Sequence, residues 1–507
     1  MRVVFDVARL LRLLALTLII ATGVITAFPP YRSPFQLPIA LGCAALAFVI
    51  FRLKQPLRDV EARLGSPREK HNRGVEYYHG LGVAKDYKQA FKWISEAVRE
   101  GYAPAKFSLA VLYEQGEGQQ KDLAAAFDLY ESSAKEGFGP AMLHLGSFYE
   151  RGEVVAKNPE VAISWYKKAA EQGWPEALVT LGVKNEYGKG TQADFLAAHD
   201  LYEKAANAGC ADAFFHLGVL SEFGKGVAKD LEQAIDLYQK AAERGSADGM
   251  IALGYKLYHG IGIRKSRSAA VRWLTKAAEQ GSAVACYYLG AIHEQSGTES
   301  ELGEALRWYR RAADRGYADA LALAGRIEDS LSERGLSGSL PFETFQEAAR
   351  NGSSIGMHEL GRCYLSGKYI NQDYAEALKW FRRSARMGNI NAKGSLGHMY
   401  AEGLGVPKNF LAARNLFEDA ANANNSTAQF NLAELFEKGF GVEKGLNTAL
   451  KWYLIAAAQG DEKARKAAER LSGEMASGQI EEAQQLATTW GKEHPMGKVL
   501  WPLYPLM

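Results

Sequence analysis

Side chains of the types that do chemistry are scattered along this 507-residue chain and match no catalytic or metal-binding spacing. The motifs HExxH, GxSxG and GxxxxGK[ST] do not occur, and no GxGxxG stands between a strand and a helix. His144 and His216 take equivalent positions in a repeat described below. One histidine per repeat supplies a single ligand, whereas a zinc site needs three or four. The sequence therefore predicts no enzyme and no bound cofactor or metal.

The cysteines share neither a repeat position nor a CxxC or histidine-partnered spacing. They are predicted to be separate packing thiols: Cys43, Cys210, Cys286 and Cys363. The lack of a disulfide framework is compatible with a reducing compartment.

Glycine, in contrast, recurs with a fixed period that indicates how the chain is built. The hexapeptide KAAEQG at residues 168–173 returns at residues 276–281, and its glycine belongs to a ladder spaced by 36 residues. The ladder has Asn424 where one glycine is due, and otherwise consists of Gly101, Gly137, Gly173, Gly209, Gly245, Gly281, Gly316 (one residue early), Gly352, Gly388 and Gly460. About eleven repeats are predicted, each of which buries its apolar face only against its neighbours.

Within each repeat, the residues after the ladder glycine predict two helices. The fourth residue is small, the eighth and ninth are Leu-Gly or Leu-Ala, and the twelfth is often aromatic, which traces one helical stripe. After a glycine turn, Asp or Asn at position 21 can accept hydrogen bonds from the free amides of a second helix. The ladder glycine is predicted to end that helix in the left-handed conformation, which Asn424 also tolerates.

These motifs resemble those of the Sel-one-like repeats, 36-residue relatives of tetratricopeptide helix pairs. The match rests on LGxxY, YxxGxGV, the capping Asp, AxxWY and KAAxxG, as at residues 146–149 and 162–166, and it spans about residues 71–490. The resemblance implies an all-α fold, a right-handed α-solenoid that serves as an adaptor in envelope assembly, secretion or signalling. It implies no family-wide catalytic residues.

Two apolar runs open the chain, at residues 13–28 and 37–51. Each is shorter than the roughly 20 residues that a helix needs to cross a bilayer core, so each must borrow flanking residues. We interpret residues 1–52 as a hairpin of two transmembrane helices, with membrane contact through residues 10–51. Two alternatives stay open: buried helices of a soluble cap, and a cleaved signal peptide, which here lacks an A-x-A site and would leave the second run in place.

The chain has 60 Lys+Arg and 58 Asp+Glu residues, a formal net charge of +2, but this charge is unevenly placed. Residues 1–60 hold seven basic and two acidic residues, so the remainder holds 53 and 56 and has a net charge of −3. That balance argues against binding of nucleic acid, which requires a basic surface. Basic residues flank both apolar runs and only Arg32 lies between them, so the repeats are predicted to be cytoplasmic, at an inner or plasma membrane.

Five segments are expected along the chain. They are the hairpin at 1–52, a linker and entry helix at 53–70, the repeats at 71–460, capping helices at 461–490 and an aromatic, proline-containing tail at 491–507. Between residues 282 and 352 the pattern is degenerate, because a glycine turn is lost and a Ser/Gly-rich loop appears. We expect the stack to bend or loosen there, by neutral drift or as a binding feature. The tail either covers the last repeat or binds a partner.

The resemblance to tetratricopeptide stacks places the first helix of each pair on a groove that binds partners. Positions 6 and 10 are apolar and are expected opposite the core stripe, while position 13 adds carboxylates along the edge. The predicted protein-binding residues are Phe107, Val111, Leu143, Val179, Val183, Phe215, Val219, Ile251, Tyr255, Tyr287, Glu114, Glu150, Glu186 and Glu222. Such a surface suits an amphipathic, basic protein segment. Alternatively, the apolar residues pack on the next repeat and the glutamates are solvated helix ends.

These features favour a membrane-anchored scaffold or adaptor that recruits or positions protein partners at the cytoplasmic face of a membrane. A second class is a regulatory subunit of a membrane-embedded enzyme or export complex, whose spans contact that complex. A periplasmic or lumenal repeat protein and an enzyme hidden in the repeats are further alternatives.

Overall fold

The computed structural model describes residues 58–59, 61–188, 193–335 and 341–494. The predicted membrane hairpin at 1–52 and the tail from residue 495 onward lie outside these ranges. Within the ranges, no helix combines the length and the apolarity needed to cross a bilayer.

The described residues form α-helices that pair through short turns. In chain order the helices are α1 (Pro67–His79), α2 (Tyr87–Arg99), α3 (Ala103–Gln115), α4 (Leu123–Lys135), α5 (Gly139–Arg151), α6 (Pro159–Glu171), α7 (Pro175–Tyr187), α8 (Phe195–Asn207), α9 (Ala211–Phe223), α10 (Leu231–Glu243), α11 (Ala247–His259), α12 (Arg267–Glu279), α13 (Ala283–Glu294), α14 (Glu299–Ala313), α15 (Ala318–Glu333), α16 (Pro341–Arg350), α17 (Ser354–Ser366), α18 (Tyr374–Arg386), α19 (Ile390–Glu402), α20 (Phe410–Asn422), α21 (Ser426–Lys438), α22 (Leu446–Ala458), α23 (Glu462–Glu474) and α24 (Ser477–Glu493).

The chain divides into two compact units, residues 1–237 and 238–507. In the first unit, each helix from α1 to α9 packs on the next helix along the chain. The second unit continues the same order from α11 to α23, and α24 packs back on α22. The fold is therefore an all-α solenoid of paired helices, as the repeats predict.

The core stripe of the first helix in each pair differs by one position from the prediction. In α5 the buried residues Ala141, Leu145 and Phe148 stand at positions 4, 8 and 11, while Tyr149 at position 12 is half-buried. Steps of four and then three residues keep side chains on one face of a helix with 3.6 residues per turn. The same positions are buried in α19 and α21.

An aromatic ring from the second helix rests on the glycine in the middle of the first. A Cβ added to Gly146 would lie 2.4 Å from the ring of Tyr166. The same contact recurs in the pairs Gly182–Tyr202, Gly290–Tyr309, Gly325–Phe345, Gly361–Phe381 and Gly397–Phe417. The Leu-Gly motif is thus a packing device, because a residue without a side chain lets the ring enter the seam between the helices.

Both predicted features of the helix ends are confirmed. The side chain of Asp86, at position 21, accepts hydrogen bonds from the amides of Lys88 and Gln89 at the start of α2. The ladder glycines have φ values from 81° to 102°, and Asn424 has a φ of 63°. All of them therefore adopt the left-handed conformation that glycine reaches at little cost.

We expect Gly209→Val to lower the free energy of unfolding by about 1–3 kcal/mol. Gly209 has a φ of 90°, and an added Cβ would have no atom within 4 Å, so the cost comes from the backbone conformation and not from a clash. Gly209→Asn should cost less, because asparagine tolerates this region. Urea unfolding of the three proteins checks this, and equal stabilities of the valine variant and the wild type would contradict it.

Helix pairs continue through residues 282–352, where the repeat pattern weakens. The connection between α13 and α14 has no glycine-rich turn, but Gly297 still has a positive φ of 66° and Thr298 caps α14. α15 is longer than its counterparts, with 16 residues. The Ser/Gly-rich loop lies partly outside the described residues, at 336–340.

Candidate functional site

The apolar residues of the predicted binding strip pack within the repeats. Phe215, Val219 and Ile251 are buried, with exposed fractions of 5%, 7% and 1%. The others are half-buried: Phe107, Val111, Leu143, Val179, Val183, Tyr255 and Tyr287. The expectation that positions 6 and 10 lie opposite the core is therefore wrong for the three buried residues. In a stacked array each helix meets neighbours on more than one side, so one amphipathic stripe does not describe its buried surface.

Phe107 shows what these half-buried residues contact. Its ring centroid lies 5.7 Å from that of Tyr130 in its own repeat. It also lies 5.4 Å from Phe138 and 5.3 Å from His144, both in the next repeat. Val111 and Leu143 pack against the same hydrophobic cluster. The side chain at position 6 thus joins one repeat to its successor.

The glutamates at position 13 do not edge a groove as free carboxylates. Glu114 Oε2 accepts a hydrogen bond of 2.7 Å from the hydroxyl of Tyr130, on the second helix of the same repeat. Glu114 Oε1 accepts one of 3.1 Å from Arg151 Nη2, on the first helix of the next repeat. We call this arrangement the tyrosine–glutamate–cation bridge.

The bridge recurs in three other places among the described residues. Its members there are Tyr166, Glu150 and Lys184; Tyr202, Glu186 and Lys225; and Tyr453, Glu437 and Arg470. The most buried carboxylate is that of Glu186, which is 4% exposed and accepts from Tyr202 Oη at 3.1 Å and Lys225 Nζ at 3.2 Å. Each bridge links both helices of one repeat to the repeat that follows.

The bridges shift the pKa values of their members. Burial raises the pKa of the Glu114 carboxyl, but the hydrogen bonds from Tyr130 and Arg151 outweigh burial and hold this pKa below its ordinary value. The pKa of Glu437 is lowered in the same way. Burial, together with the neighbouring carboxylate, raises the pKa of Tyr130. Glu114 and Glu437 are therefore charged and Tyr130 is neutral at physiological pH.

The sequence contains a signal for the bridges that the prediction missed. Position 29, or position 28 in the shorter repeat after Gly281, holds tyrosine where position 13 is glutamate, and phenylalanine, leucine or isoleucine where it is not. Phe381 follows Leu365, for example, and Phe417 follows Ala401. At position 29, a tyrosine hydroxyl therefore occurs where a carboxylate of the same repeat can accept its hydrogen bond. Glu222, the remaining predicted carboxylate, is half-buried and follows the same rule in sequence, with Tyr238.

The two equivalent histidines stack on tyrosines of the bridges. His144 lies 4.8 Å from Tyr130 and His216 lies 4.7 Å from Tyr202, measured between ring centroids, and the rings are nearly parallel. Burial lowers the pKa of both histidines, so both are neutral at physiological pH. They pack in the seam between repeats.

One group in the described part of the chain has ligand atoms close enough for a metal ion. It consists of His199, Asp200 and Glu203 on α8, whose ligand atoms lie within 4.8 Å of one another. The two carboxylates are exposed. Surface groups of this kind are common without a metal, and nothing else in the structure points to an ion there.

The described cysteines are buried and unpaired: Cys210, Cys286 and Cys363. Burial raises the pKa of Cys363 to about 11, so its thiol is protonated and unreactive at physiological pH. Their prediction as packing thiols is confirmed.

Stacked helix pairs, closed by glycine helix ends and joined by bridges, define a helical-repeat protein of the solenoid class. The Sel1 repeat family model matches residues 70–102, 103–138, 139–174, 175–210, 211–246, 247–282, 283–317, 354–389, 394–425 and 426–461. The chain therefore belongs to the Sel1 repeat family. The matches number ten and not the expected eleven, because residues 318–353 form the helix pair α15–α16 without matching the family model.

Two solved structures of bacterial proteins are similar to this chain. One is a protective antigen of uropathogenic Escherichia coli strains that displays an SLR fold, with 27% identity, a TM-score of 0.50, and coverage of 86% of this chain and 94% of that one. The other is a Sel1 repeat protein from Oxalobacter formigenes, with 28% identity, a TM-score of 0.40, and coverage of 48% and 98%. A comparison with curated proteins finds no match.

Proposed function

We propose that this chain is a non-catalytic scaffold that binds protein partners on its repeats. One observation carries the proposal: the side chains that recur from repeat to repeat are engaged in building the array. Ladder glycines end the second helices, and side chains at position 21 cap the starts of those helices. Rings of the second helices pack on the glycines in the middle of the first helices, and glutamates form the bridges. Recognition then belongs to the exposed residues, which differ from one repeat to the next.

Exposed apolar side chains at the junction between α20 and α21 support protein binding. Phe410 and Phe440 stack with their ring centroids 4.8 Å apart. Phe440 is 43% exposed, and Leu411, which follows Phe410 at the start of α20, is 57% exposed. We call these three residues the phenylalanine edge. Clustered apolar surface of this kind is typical of interaction sites.

Chemical crosslinking in native membranes, followed by capture of the full chain, tests the scaffold function. We expect specific proteins to be captured, and fewer of them with the double variant Leu411→Asp, Phe440→Asp. Leu196→Asp is the matched control, because Leu196 has the position of Leu411 in another repeat and is 66% exposed. Capture of nothing beyond the background of an unrelated anchored domain would reject the scaffold.

The proposal includes an anchor formed by residues 10–51, in an inner or plasma membrane, with the repeats in the cytoplasm. Two apolar runs flanked by basic residues support it. In right-side-out vesicles, added protease should leave the repeats intact. Digestion of the repeats from outside would reverse this topology.

The alternative, a regulatory subunit of a membrane-embedded enzyme or export complex, draws on the same apolar runs. It differs in requiring specific contacts by the spans themselves. Replacing residues 1–52 with an unrelated two-span anchor separates the two functions. A scaffold retains its partners after this exchange, whereas a regulatory subunit loses them.

A further inference from the structure

A cavity of about 380 Å³ opens in the second unit between α11, α12 and α13. Its wall includes Tyr255 and Tyr258 of α11, Leu274 of α12, and Tyr287, Tyr288 and Glu294 of α13. We call it the tyrosine pocket. It combines aromatic faces with a carboxylate, and three features of its walls favour a cation as the ligand.

The first feature is a missing ring. Leu274 packs on Gly254, and a Cβ on that glycine would lie 2.8 Å from Leu274 Cγ. In six other repeats, a tyrosine or phenylalanine ring packs on the corresponding glycine. Leucine fills less of the seam than a ring does. This repeat therefore keeps the glycine, but a space remains beside Leu274.

The second feature is the arrangement of the aromatic walls. The ring centroids of Tyr255 and Tyr288 lie 5.8 Å apart at 65°, and those of Tyr287 and Tyr288 lie 5.4 Å apart at 67°. Rings set at steep angles present both a face and an edge to the space between them. A cation within about 6 Å of such a face is attracted by the negative potential of the ring.

The hydroxyl of Tyr288 adds a polar group to these walls. Its oxygen is buried and has no hydrogen-bond partner. Burial raises the pKa of Tyr288, so the hydroxyl keeps its proton. A buried hydroxyl without a partner costs about 1–3 kcal/mol, and a ligand with a hydrogen-bonding group can recover part of that cost.

The third feature is a carboxylate without its cation. Glu294 stands at position 13 and accepts a hydrogen bond of 2.6 Å from the hydroxyl of Tyr309, as in the bridges. Among the described residues, however, no lysine or arginine forms an ion pair with Glu294, although four other glutamates have one. Arg326, on α15 of the next repeat, is exposed and forms no ion pair with Glu294.

The remaining titratable group in the wall does not oppose a cation. Desolvation, followed by the charges of Lys265 and Lys256, lowers the pKa of His259. The histidine is therefore neutral at physiological pH. Glu294 is thus the charged residue among those that line the pocket, while Lys256 Nζ and Lys265 Nζ lie 6.0 Å and 5.9 Å from the ring centroids of Tyr255 and Tyr258.

We propose that the tyrosine pocket receives an arginine side chain of a protein partner. The planar guanidinium stacks on a tyrosine ring, and its donors can serve both the free oxygen of Glu294 and the hydroxyl of Tyr288. The partner's arginine thus takes the place that Arg151, Lys184 and Arg470 take in other bridges. This inference rests on the proposed function, because it assigns the arginine to a protein that binds the repeats.

Saturation-transfer NMR with the full chain tests the pocket. The probe is the peptide acetyl-Gly-Gly-Arg-Gly-Gly-amide, and its control is the same peptide with citrulline, which has the shape of arginine without the charge. We expect transfer to the side-chain methylenes of arginine and at least tenfold weaker binding of the citrulline peptide. Equal binding of the two peptides would overturn the proposal.

Variants localise the binding. Glu294→Gln should weaken binding of the arginine peptide at least tenfold, and Leu274→Phe should abolish it by placing a ring on Gly254. Leu274→Phe should also keep its thermal stability, because other repeats hold phenylalanine at this position. Glu299→Gln, outside the pocket, should bind as the wild type does. Arg326→Ala should bind at least as tightly, since it removes a cation whose charge acts on Tyr309, the hydrogen-bond partner of Glu294.

Two outcomes separate this inference from the proposed function. If the chain captures partners and both pocket variants retain them and the peptide, the arginine site is wrong while the scaffold stands. If tetramethylammonium binds as tightly as the peptide and Glu294→Gln has no effect, the pocket is a site for quaternary ammonium and the proposal fails. If the peptide binds at the pocket but crosslinking captures no partner, the scaffold fails and the cation site stands.

Discussion

Glu186→Lys is expected to lower the free energy of unfolding by about 3–5 kcal/mol, the scale for losing one partner of a buried ion pair. Glu186 is 4% exposed and accepts hydrogen bonds from Tyr202 and Lys225. The substitution removes both bonds and places a second ammonium group beside Lys225. Urea unfolding of the full chain measures the change.

Two other substitutions make this test specific. Glu203→Lys, at a side chain that is 57% exposed, should change the stability by less than about 0.5 kcal/mol. Glu186→Gln keeps an acceptor for Tyr202 and should fall between the two. A small effect of Glu186→Lys would mean that the bridge is dispensable. This expectation replaces the alternative, drawn from the sequence, that the glutamates at position 13 are solvated helix ends.

Phe417→Ala is expected to lower the free energy of unfolding by about 3–5 kcal/mol. The Phe417 side chain is 2% exposed, and its ring packs on Gly397, where an added Cβ would lie 2.6 Å from the ring. Alanine leaves a cavity that the two paired helices cannot close without moving. Phe417→Leu, the residue found at Leu274, should cost less than about 1.5 kcal/mol. Similar stabilities of the alanine and leucine variants would show that filling the space above Gly397 contributes little to the free energy of unfolding.

A double-mutant cycle at the same place tests the pairing of tyrosine with glutamate. Phe417→Tyr alone should destabilise the chain by about 1–3 kcal/mol, because Ala401 offers the buried hydroxyl no acceptor. Adding Ala401→Glu should recover part of that loss, as measured by urea unfolding. No coupling between the two substitutions would contradict the rule.

Local chemistry made much of the fold predictable from sequence. The ladder glycines, Asn424 and the capping Asp86 act within one helix end, so a single residue type at a single position indicates the conformation. The helix pairs follow from the period of 36 residues. These features need no knowledge of what lies beside them.

The candidate site was less predictable because it depends on the next repeat. The cations of the bridges stand 33 to 39 residues after their glutamates, and they are lysine or arginine from a helix or from a turn. No single spacing marks them. Likewise, the burial of Phe215, Val219 and Ile251 comes from neighbours that one helical stripe does not reveal. The tyrosine pocket arises because position 274 holds leucine and not an aromatic residue. A search of the sequence for residues that recur does not detect such an absence.

The bridges have a consequence for how such a gene can change its length. Each glutamate takes its tyrosine from its own repeat and, where a cation completes the bridge, takes that cation from the repeat that follows. Recombination between two copies at the same register deletes or duplicates a whole unit, and a bridge then forms at the new junction where the new neighbour carries a lysine or arginine within reach. The last repeat is no exception, since Arg470 of α23 supplies the cation to Glu437. Array length can therefore change in whole units, while the glutamate at each new junction depends on its new neighbour for a cation.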